Sequence, residues 1–468
     1  MKKLNLKNLS FSENDIKKFV NSSSDVEYDS ILFIDNKNSE KLDRYVNESL
    51  TKNPKTIFTS ERCNVNNEKI VKVSNYDEVL TQAYSYLCAD YKTRTYFGIT
   101  GTNGKTTTGH YLEQILGDKT LFIGTNNENL FHDITKDKHL TSPKLFNILK
   151  FLGKSENRKY ENIILEASSH ALHQERFKGI KFNTSGFTNL SRDHFDYHEN
   201  FDNYFEAKLK LFSKSLSEKF VYFDSKWGNK IYENAAIPSF RIGKNADSNL
   251  RIIKEELFPN IKMQIQINDK NYDFNLNVTG PNFNLNFLLA FSMAYFSEKL
   301  DIDNFHKNLT NIHNPIGRFE IINYKTNKII IDYAHTPEAI NTIINFSKNY
   351  FSNVSVIFGA GGNRDIEKRK LMGNASKNAD QVIITNDNPR DEDPEKIAKD
   401  ILEGCNKDQT VVILNRKEAI TYGINQLNDN SVLLVLGKGH EMHQEIDGKK
   451  IKFNDTDYIS TLLGESNW

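Results

Sequence analysis

The stretch GTNGKTT, Gly101 to Thr107, is the part of the sequence with the clearest chemistry. Its two glycines allow backbone N–H groups to converge on an anion, Lys105 supplies a mobile cation, and Thr106 offers a hydroxyl to Mg²⁺. An apolar run precedes the stretch and a helix-like segment follows it, which indicates a phosphate-binding loop. The usual G-x-x-x-x-G-K-[ST] spacing is not met, because Ile99 stands where its first glycine is expected. A glycine-rich turn without a ligand is the alternative interpretation.

Acidic and histidine side chains follow two further strand-like runs. Glu166 ends the run NIILEAS, and Asp193 and His194 follow NTSGFTNL. Because the carboxyl ends of parallel strands meet at one edge of a sheet, these side chains are expected beside the glycine-rich loop. They are candidate metal or phosphate ligands, although a lone histidine is more often an ordinary surface residue.

Length and composition limit the functions that the chain could have. Its 468 residues suggest about three domains, and 61 basic against 61 acidic residues give no net field that would favour nucleic acid or a membrane surface. The three cysteines have no metal-type spacing. No apolar run approaches the ~18 residues of a membrane span. We expect a cytoplasmic protein, monomeric, with neither nucleic-acid partners nor membrane insertion.

The order of apolar and amphipathic runs predicts an α/β fold of three domains. Residues 1–92 are predicted to form a small α/β domain with strands at 31–34 and 56–60. Residues 93–316 are predicted to form a P-loop ATPase-type domain with a mainly parallel sheet. Its strands are expected at 95–100, 120–124, 162–167 and 184–188, before a β-rich patch at about 219–280.

The last third of the chain has the most regular alternation. The apolar runs KIIIDYA, NVSVIFGA, QVIITND, TVVILN and SVLLVLG are separated by stretches with helical spacing. Residues 317–468 are therefore predicted to form a doubly wound, Rossmann-like domain.

Several motifs, taken in order, resemble the Mur ligases, a family of ATP-dependent enzymes that form amide bonds in peptidoglycan precursor synthesis. They are GTNGKTT, EASSHAL, FTNLSRDHFDYHENFDNYFEAKLKLF, IDYAHTPEA and GAGGNRDIEKRKLMG, and the resemblance covers about residues 95 to 457. It implies ATP and Mg²⁺ as cofactors and an ATP site completed by the third domain.

The resemblance also assigns the residues of this site. The implied catalytic residues are Lys105, Glu166, His194 and Lys208. The implied metal ligands are Thr106, Glu166, His194 and Lys208, the last as a carbamate. The implied ATP-binding residues are Gly101, Thr102, Asn103, Gly104, Lys105, Thr106, Thr107, Asn286, Arg318, Asp332 and His335. Without the family match, Lys208 would be read as a solvent-facing helix lysine. Phe283 stands where the family usually has a second base-contacting asparagine.

Within the family, the run DNPR most resembles the members that add meso-diaminopimelate as the third residue of the stem peptide. Arg390 suits the distal carboxylate of that substrate, because a guanidinium binds a carboxylate through two charge-assisted hydrogen bonds. The motif precedes a predicted helix, whose first N–H groups favour an anion. Outside this family it would be read as an ordinary turn. The implied diaminopimelate-binding residues are Arg364, Asp387, Asn388, Pro389, Arg390, Gly437 and Glu441.

The second substrate implied by the resemblance is UDP-N-acetylmuramoyl-L-alanyl-D-glutamate. Its implied binding residues are Ser23, Thr141, Ser142, Ser168, Gln174 and Arg176. The D-S-R signature and P-G turn that the family carries in its first domain are absent, and Ser23 is the nearest match.

The expected reaction passes through an acyl phosphate and needs no protein nucleophile. A ligase of this family that adds lysine or another amino acid, or acts on folate, remains an alternative, as does a plain P-loop nucleotide hydrolase. A non-catalytic binding module is a further alternative, against which the intact Lys105, Thr106, Glu166 and His194 argue.

Overall fold

A computed structural model describes residues 6, 11–125, 134, 141–305, 309 and 311–464 of the chain. These residues belong to two compact units. The first takes in Met1–Thr95, Glu128–Ile163 and Glu175–Ile180, and the second takes in Tyr96–Asn127, Ile164–Gln174 and Lys181–Trp468.

The first unit contains a parallel sheet. Its strands, in sheet order and chain order alike, are β1 (Phe19–Val20), β2 (Ile31–Phe33), β3 (Thr56–Ser60) and β4 (Ile70–Val73). The strands predicted at 31–34 and 56–60 are therefore confirmed. The helices of this unit are Glu13–Lys17, Ser39–Leu50, Tyr76–Leu87 and Leu145–Leu152, with short 3₁₀ turns at Ser23–Asp25 and Ser155–Asn157.

The helix Ser39–Leu50 shows how the sequence specifies this unit. Its N-cap is Asn38, whose side chain accepts a hydrogen bond from the Lys41 backbone N–H. Its buried residues, Leu42, Val46 and Ser49, recur at helical spacing and form one face. The helix therefore packs through a single stripe and leaves its polar side exposed.

The sheet of the middle region lies in the second unit and holds the glycine-rich loop. Its strands are β5 (Thr95–Thr100), β6 (Thr120–Ile123), β7 (Asn162–Glu166), β8 (Phe182–Phe187), β9 (Ser217–Phe223), β10 (Ser239–Gly243), β11 (Leu250–Glu256), β12 (Ile261–Ile267) and β13 (Lys270–Leu276). The sheet order is β13-β12-β11-β10-β9-β8-β5-β7-β6. The predicted strands and the predicted β-rich patch are confirmed. Strands β5, β8, β9, β10 and β11 run parallel, whereas β11, β12 and β13 form an antiparallel extension.

Strand β5 is buried over nearly its whole length, as expected for a central strand covered on both faces. The helix Phe283–Phe296 packs against the helix Lys105–Leu116 and is apolar almost all round, because it is enclosed by the core. The other helices of this region are Ser169–His173, Phe195–His198, Phe201–Leu209, Lys226–Asn234 and Ile302–Phe305, with a 3₁₀ turn at Lys210–Phe212.

The C-terminal region is doubly wound, as predicted. Its strands are β14 (Glu320–Tyr324), β15 (Asn327–Asp332), β16 (Asn353–Phe358), β17 (Gln381–Ile384), β18 (Thr410–Val412) and β19 (Ser431–Leu436). The sheet order is β14-β15-β19-β16-β17-β18, and only β14 runs antiparallel to its neighbour among these described strands. A hairpin of β20 (His443–Ile446) and β21 (Lys449–Lys452) follows. The helices are Pro337–Lys348, Glu367–Ala375, Pro394–Leu402, Arg416–Asn425 and Asp455–Leu463, with a 3₁₀ turn at Lys407–Gln409.

No helix within these described ranges is long and apolar enough to cross a bilayer.

Candidate active site

The glycine-rich loop joins β5 to the helix Lys105–Leu116, as the sequence predicted. Gly101 has φ +149°, and a Cβ there would lie 1.8 Å from the Thr188 hydroxyl. Gly104 has φ +83°, and a Cβ there would lie 2.4 Å from Asn286 Oδ1. Both positions therefore require glycine, because a side chain would be strained and would collide with a neighbouring polar group.

The loop is held open by polar contacts with the segment that follows β8. Asn103 N donates to Asn189 Oδ1 at 2.9 Å, and Asn189 Nδ2 donates to Asn103 O at 3.1 Å. The Thr102 hydroxyl lies 3.1 Å from the Tyr204 hydroxyl and accepts from Ser191 N at 3.0 Å. Thr106 and Thr107 are buried in the first turn of the helix. The loop is thus fixed by its neighbours at a helix N-terminus, a position that favours an anion.

The Lys105 ammonium bends back over this loop. Its Nζ donates to the carbonyls of Gly101 at 3.1 Å and Thr102 at 2.8 Å. Burial lowers the pKa of Lys105, while Glu166 and Asp193 oppose that shift. An anionic ligand at the loop would keep this lysine charged.

Glu166 is the last residue of β7 and is buried at the carboxyl edge of the sheet, where the sequence predicted it. Its Oε1 accepts from Thr125 N at 3.0 Å and its Oε2 from the Thr125 hydroxyl at 3.1 Å. Thr125 thereby orients the carboxylate.

Asp193 and His194 lie on the loop after β8. Asp193 accepts a hydrogen bond from Lys368 at 3.1 Å, and Lys368, followed by His194, holds the pKa of Asp193 well below its usual range although burial opposes this. Partial burial lowers the pKa of His194, although Asp193 opposes the shift. The His194 ring is therefore neutral at physiological pH and has a nitrogen lone pair for a metal.

Lys208 lies on the helix Phe201–Leu209 and its side chain points into the protein. It is 1 % exposed, its Nζ donates to Gly101 O at 2.7 Å, and the same atom lies 4.5 Å from the Tyr204 ring centre. Burial, together with the neighbouring Lys105, lowers the pKa of Lys208 far below that of a free lysine. This excludes the solvent-facing alternative. A buried, uncharged amine is the form that reacts with carbon dioxide.

The donor set fits the Mg²⁺ that the family resemblance implies. A threonine hydroxyl, a carboxylate and a neutral imidazole are oxygen and nitrogen donors, and Mg²⁺ is commonly held by one or two such carboxylates together with substrate phosphates. Over the described residues, no cluster of three or more His, Cys, Asp or Glu side chains is arranged for a metal.

The four further ATP-binding candidates are Asn286, Arg318, Asp332 and His335. Asn286 projects from the helix Phe283–Phe296 towards Gly104. The Asn284 amide, which flanks it, is engaged by Glu255 at 2.7 Å. Arg318 stacks on the Tyr333 ring at 4.6 Å from its centre.

Asp332 and His335 belong to the segment after β15. The Asp332 carboxylate accepts from Phe319 N at 2.8 Å and Ala334 N at 2.7 Å, which fixes the turn. Burial and the nearby Lys368 lower the pKa of His335 to about 4. Asn103 Nδ2 lies 3.5 Å from the hydroxyl of Thr336, so the phosphate-loop region and this turn are in contact.

The DNPR segment and the β20–β21 hairpin together form a second polar cluster. Arg390 has φ +54°, which is strained for an arginine. Its backbone N–H donates to Glu445 O at 3.0 Å and its carbonyl accepts from Asp447 N at 2.7 Å, so the hairpin holds it in this conformation. Arg390 Nη1 donates to Gly362 O at 2.7 Å, and Pro389 O packs close to Gly362.

The GKGHE segment contributes a buried cation to this cluster. Lys438 is 0 % exposed and its Nζ donates to Glu441 Oε2 at 2.8 Å, Asn388 Oδ1 at 3.2 Å and His443 O at 2.7 Å. Asn388 Nδ2 also donates to Glu441 Oε2, at 2.9 Å. Burial and then Asp387 raise the pKa of Glu441, whereas Lys438 lowers it.

Gly437, Asp387 and Arg364 complete the second cluster. A Cβ at Gly437, where φ is +109°, would lie 2.5 Å from Asp387 Oδ2. Arg364 is exposed, and its Cγ lies next to Gly361, as does the guanidinium of Arg390. The helix Pro394–Leu402 begins four residues after Arg390, and Asp393 caps it by accepting from Glu395 N at 3.0 Å. Asp393 therefore takes one N–H group of this N-terminus, and the expectation that the N-terminus favours a substrate anion stays a prediction.

The residues proposed for the UDP-linked substrate are distributed over both units. In the first unit, Arg176 Nη1 donates to Ser142 O at 2.7 Å beside Thr141, and the Ser23 hydroxyl donates to Glu48 at 3.3 Å. In the second unit, Ser168 caps the helix Ser169–His173, and Gln174 Nε2 donates to the Tyr197 hydroxyl at 3.2 Å.

Sequence reasoning missed several residues that shape the site. Asn189 orients the loop and Thr125 orients Glu166. The half-buried Lys368 and the buried Lys438 are cations beside carboxylates. Lys438 lies between the predicted residues Gly437 and Glu441, so its position in a glycine-rich turn was the available signal.

Comparison with known proteins agrees with the geometry. The family model described as Mur ligase middle domain matches residues 99–294, and the one described as Mur ligase, glutamate ligase domain matches residues 317–439. A UDP-N-acetylmuramoyl-L-alanyl-D-glutamate–2,6-diaminopimelate ligase of Aquifex aeolicus is 37% identical over 376 residues, which cover 78% of this chain and 77% of the relative. The corresponding ligase of Rickettsia bellii is 34% identical over 467 residues and 96% of each chain.

A solved structure of a ligase with the same name has a TM-score of 0.65 at 24% identity, covering 95% of this chain and 94% of its own. The chain therefore belongs to the Mur ligase family. It has the three-domain α/β architecture of that family and is an ATP-dependent ligase that forms an amide bond.

Proposed function

We propose that this ligase adds meso-2,6-diaminopimelate to UDP-N-acetylmuramoyl-L-alanyl-D-glutamate in peptidoglycan precursor synthesis. Relatives that are 37% and 34% identical to this chain carry the name of this activity. The observation that carries the assignment to this chain is the second polar cluster, in which Arg390 donates to Gly362 O and Glu441 accepts from Asn388 of the same DNPR segment.

Diaminopimelate differs from lysine by a carboxylate beside its distal ammonium group, so its far end is zwitterionic. The Arg390 guanidinium on the DNPR segment, and the Glu441 carboxylate hydrogen-bonded to that segment, complement this pair of charges. Arg390 has donors beyond the one that Gly362 takes, and Glu441 Oε1 remains for an ammonium group. Lysine offers this arginine no carboxylate and gains nothing from it, which is how one residue can discriminate between the two amino acids.

The reaction proceeds in two steps. The D-glutamate carboxylate attacks the γ-phosphorus of ATP, forming an acyl phosphate and releasing ADP. The diaminopimelate amine then attacks the acyl carbon, loses a proton, and expels phosphate to leave the amide. Lys105 and the loop N–H groups stabilise the charge on the transferred phosphoryl group, and the rest of the site positions the reactants.

Thr106, Glu166, His194 and Lys208, the last as a carbamate, are the proposed holders of Mg²⁺. The metal would supply charge neutralisation for the phosphates. The neutral Lys208 amine forms a new N–C bond to carbon dioxide and loses one proton, which gives an anionic carbamate next to Gly101. Asn286, Arg318, Asp332 and His335 are the proposed contacts for the remainder of ATP.

Residues 1–92 with Ser23, and Thr141, Ser142, Ser168, Gln174 and Arg176, are proposed to bind the UDP-linked dipeptide. Residues 93–316 are proposed as the ATP-binding domain and residues 317–468 as the amino-acid-binding domain.

The test is phosphate release from ATP with the UDP-linked dipeptide and one amino acid at a time. We expect release with meso-diaminopimelate and little with L-lysine. Release with lysine alone would keep the ligase class but overturn the assignment of Arg390. Release without any amino acid would indicate a nucleotide hydrolase.

A further inference from the structure

The guanidinium of Arg390 already has a carboxylate neighbour within the protein. Glu445 Oε2 lies 3.4 Å from Arg390 Nε, and the two side chains are 25% and 30% exposed. This separation is longer than the ~2.7–2.9 Å of a close charge-assisted hydrogen bond. The pair is therefore loose, and the same guanidinium is the group proposed to bind the distal carboxylate of the amino acid.

The backbone around Glu445 is fixed, so only its side chain is free to move. Glu445 N donates to Asn388 Oδ1 at 2.9 Å, and Glu445 O accepts from Arg390 N at 3.0 Å. One residue earlier, Gln444 Nε2 donates to Asp387 O at 2.8 Å. The hairpin is thus attached to Asp387, Asn388 and Arg390 of the DNPR segment, and the Glu445 backbone is held beside Arg390.

A second cation lies within reach of Glu445. Lys450 stands directly opposite Glu445 in the antiparallel β20–β21 hairpin, and directly opposed residues project from the same face. Lys450 is exposed. If a substrate carboxylate takes Arg390, Glu445 can turn towards Lys450 without any change in the backbone.

Two carboxylates that share one guanidinium repel each other, and removing one of them strengthens the binding of the other. We propose that Glu445 is a specificity-determining residue that occupies Arg390 in the free enzyme as a stand-in for the distal carboxylate of diaminopimelate and yields to it by turning to Lys450. This inference rests on the proposed function. Through this exchange the Arg390 charge is paired both with and without substrate. Competition with Glu445 lowers the affinity for diaminopimelate.

The test compares wild type with Glu445→Gln, which keeps the shape of the side chain and removes its charge. We expect the KM for meso-diaminopimelate to fall roughly three- to tenfold, whereas the KM for ATP stays unchanged. The KM for L-lysine should rise, because Arg390 is then unpaired beside the ammonium of a substrate that offers no carboxylate. Asp447→Asn is the matched control, since it removes a carboxylate from the same hairpin turn and should leave all three constants as they are.

A rise in the diaminopimelate KM of Glu445→Gln would show that Glu445 orients Arg390 for substrate, and would overturn the inference. Equal changes in Glu445→Gln and Asp447→Asn would also overturn it, as a general charge effect. No diaminopimelate-dependent turnover by the wild type would overturn the proposed function and the inference together. Turnover by the wild type with an unchanged KM in Glu445→Gln would overturn the inference alone.

Lys450→Met tests the second half of the exchange. It should raise the diaminopimelate KM about twofold in wild type, because an exposed ion pair contributes little, and should have no effect in Glu445→Gln. Equal effects in the two backgrounds, or none in either, would exclude Lys450 as the group to which Glu445 turns.

Discussion

The phosphate-binding loop and the proposed amino-acid pocket around Arg390 and Glu441 bind charge in different ways. The loop relies on backbone groups at the end of β5 and requires glycine at Gly101 and Gly104. Its lysine, Lys105, donates to backbone carbonyls of the loop. The pocket relies on charged side chains that already neutralise one another, Lys438 with Glu441 and Arg390 with Glu445. The loop can therefore accept any suitable polyphosphate, whereas the pocket selects a ligand that can exchange for its internal pairs.

The largest expected effect comes from a substitution in the phosphate-binding loop. Lys105→Ala removes the cation that stabilises the transferred phosphoryl group, and kcat should fall by roughly 10³-fold. The fold should stay intact, because among the described residues Lys105 donates to two carbonyls of its own loop. Steady-state phosphate release and thermal unfolding measure the two effects.

Lys119→Ala, at an exposed position soon after the same helix, is the matched control and should behave as wild type. Normal turnover of Lys105→Ala would contradict the assigned chemistry.

The next effect separates the pocket from the loop. Arg390→Met should lower kcat/KM for meso-diaminopimelate by roughly 10²-fold, because a carboxylate would then be desolvated without a bidentate partner. The KM for ATP should not change. L-lysine is the internal control, since it lacks the distal carboxylate, and a parallel loss with lysine would mean that the substitution had damaged the pocket as a whole.

Removing the internal cation of the pocket should have a smaller effect. Lys438→Met leaves the acceptor atoms of Asn388, Glu441 and His443 without their common donor, and should raise the KM for diaminopimelate about tenfold. Lys438 lowers the pKa of Glu441, so its loss raises that pKa further. The defect should therefore worsen as the pH falls, because more Glu441 is protonated and cannot pair with an ammonium group.

A KM for diaminopimelate measured across pH checks this prediction. Lys449→Met replaces an exposed lysine of the same hairpin and should leave the pH profile unchanged. A pH-independent defect in Lys438→Met would indicate loss of packing alone.

The two regions also differ in how much the sequence reveals. The loop could be predicted because its determinants are local: a buried strand, two glycines, a lysine and a threonine within Gly101–Thr107. The strands were equally clear, since β5, β16 and β19 are nearly continuous apolar runs.

The pocket could be predicted only in part, because its pairing is tertiary. Arg390 was found through a motif, but nothing in the local sequence shows that a hairpin more than fifty residues later clamps its backbone and places Glu445 beside it. Likewise, only the fold shows that Lys208 points inward to Gly101. Sequence patterns indicate which residue types are present, whereas burial and pairing in the folded structure determine their charge.

The smallest expected effect lies on the segment that connects the two regions. On the helix that begins with Lys105, His110 Nε2 lies 3.2 Å from Nδ1 of His313, which stands just before the C-terminal sheet, and Gln114 Nε2 donates to His313 O at 3.0 Å. One ring must donate and the other accept, so the contact requires that at least one ring be neutral. Burial and the neighbouring His313 lower the pKa of His110 from 6.5 to about 4.

Because the folded state disfavours protonated His110, its contribution to stability is fully present above pH 6.5 and is lost as the pH falls from 6.5 towards about 4. His110→Gln cannot titrate, so its free energy of unfolding should fall less than that of wild type over this range. The difference should be on the order of 1 kcal/mol after solvent screening, and melting temperatures measured across pH report it. His443→Gln, at an exposed histidine, should follow the wild-type curve. Identical acid curves for His110→Gln and wild type would mean that protonation of His110 does not weaken its contact with His313, and the helix that begins with Lys105 would then not respond to pH through this contact.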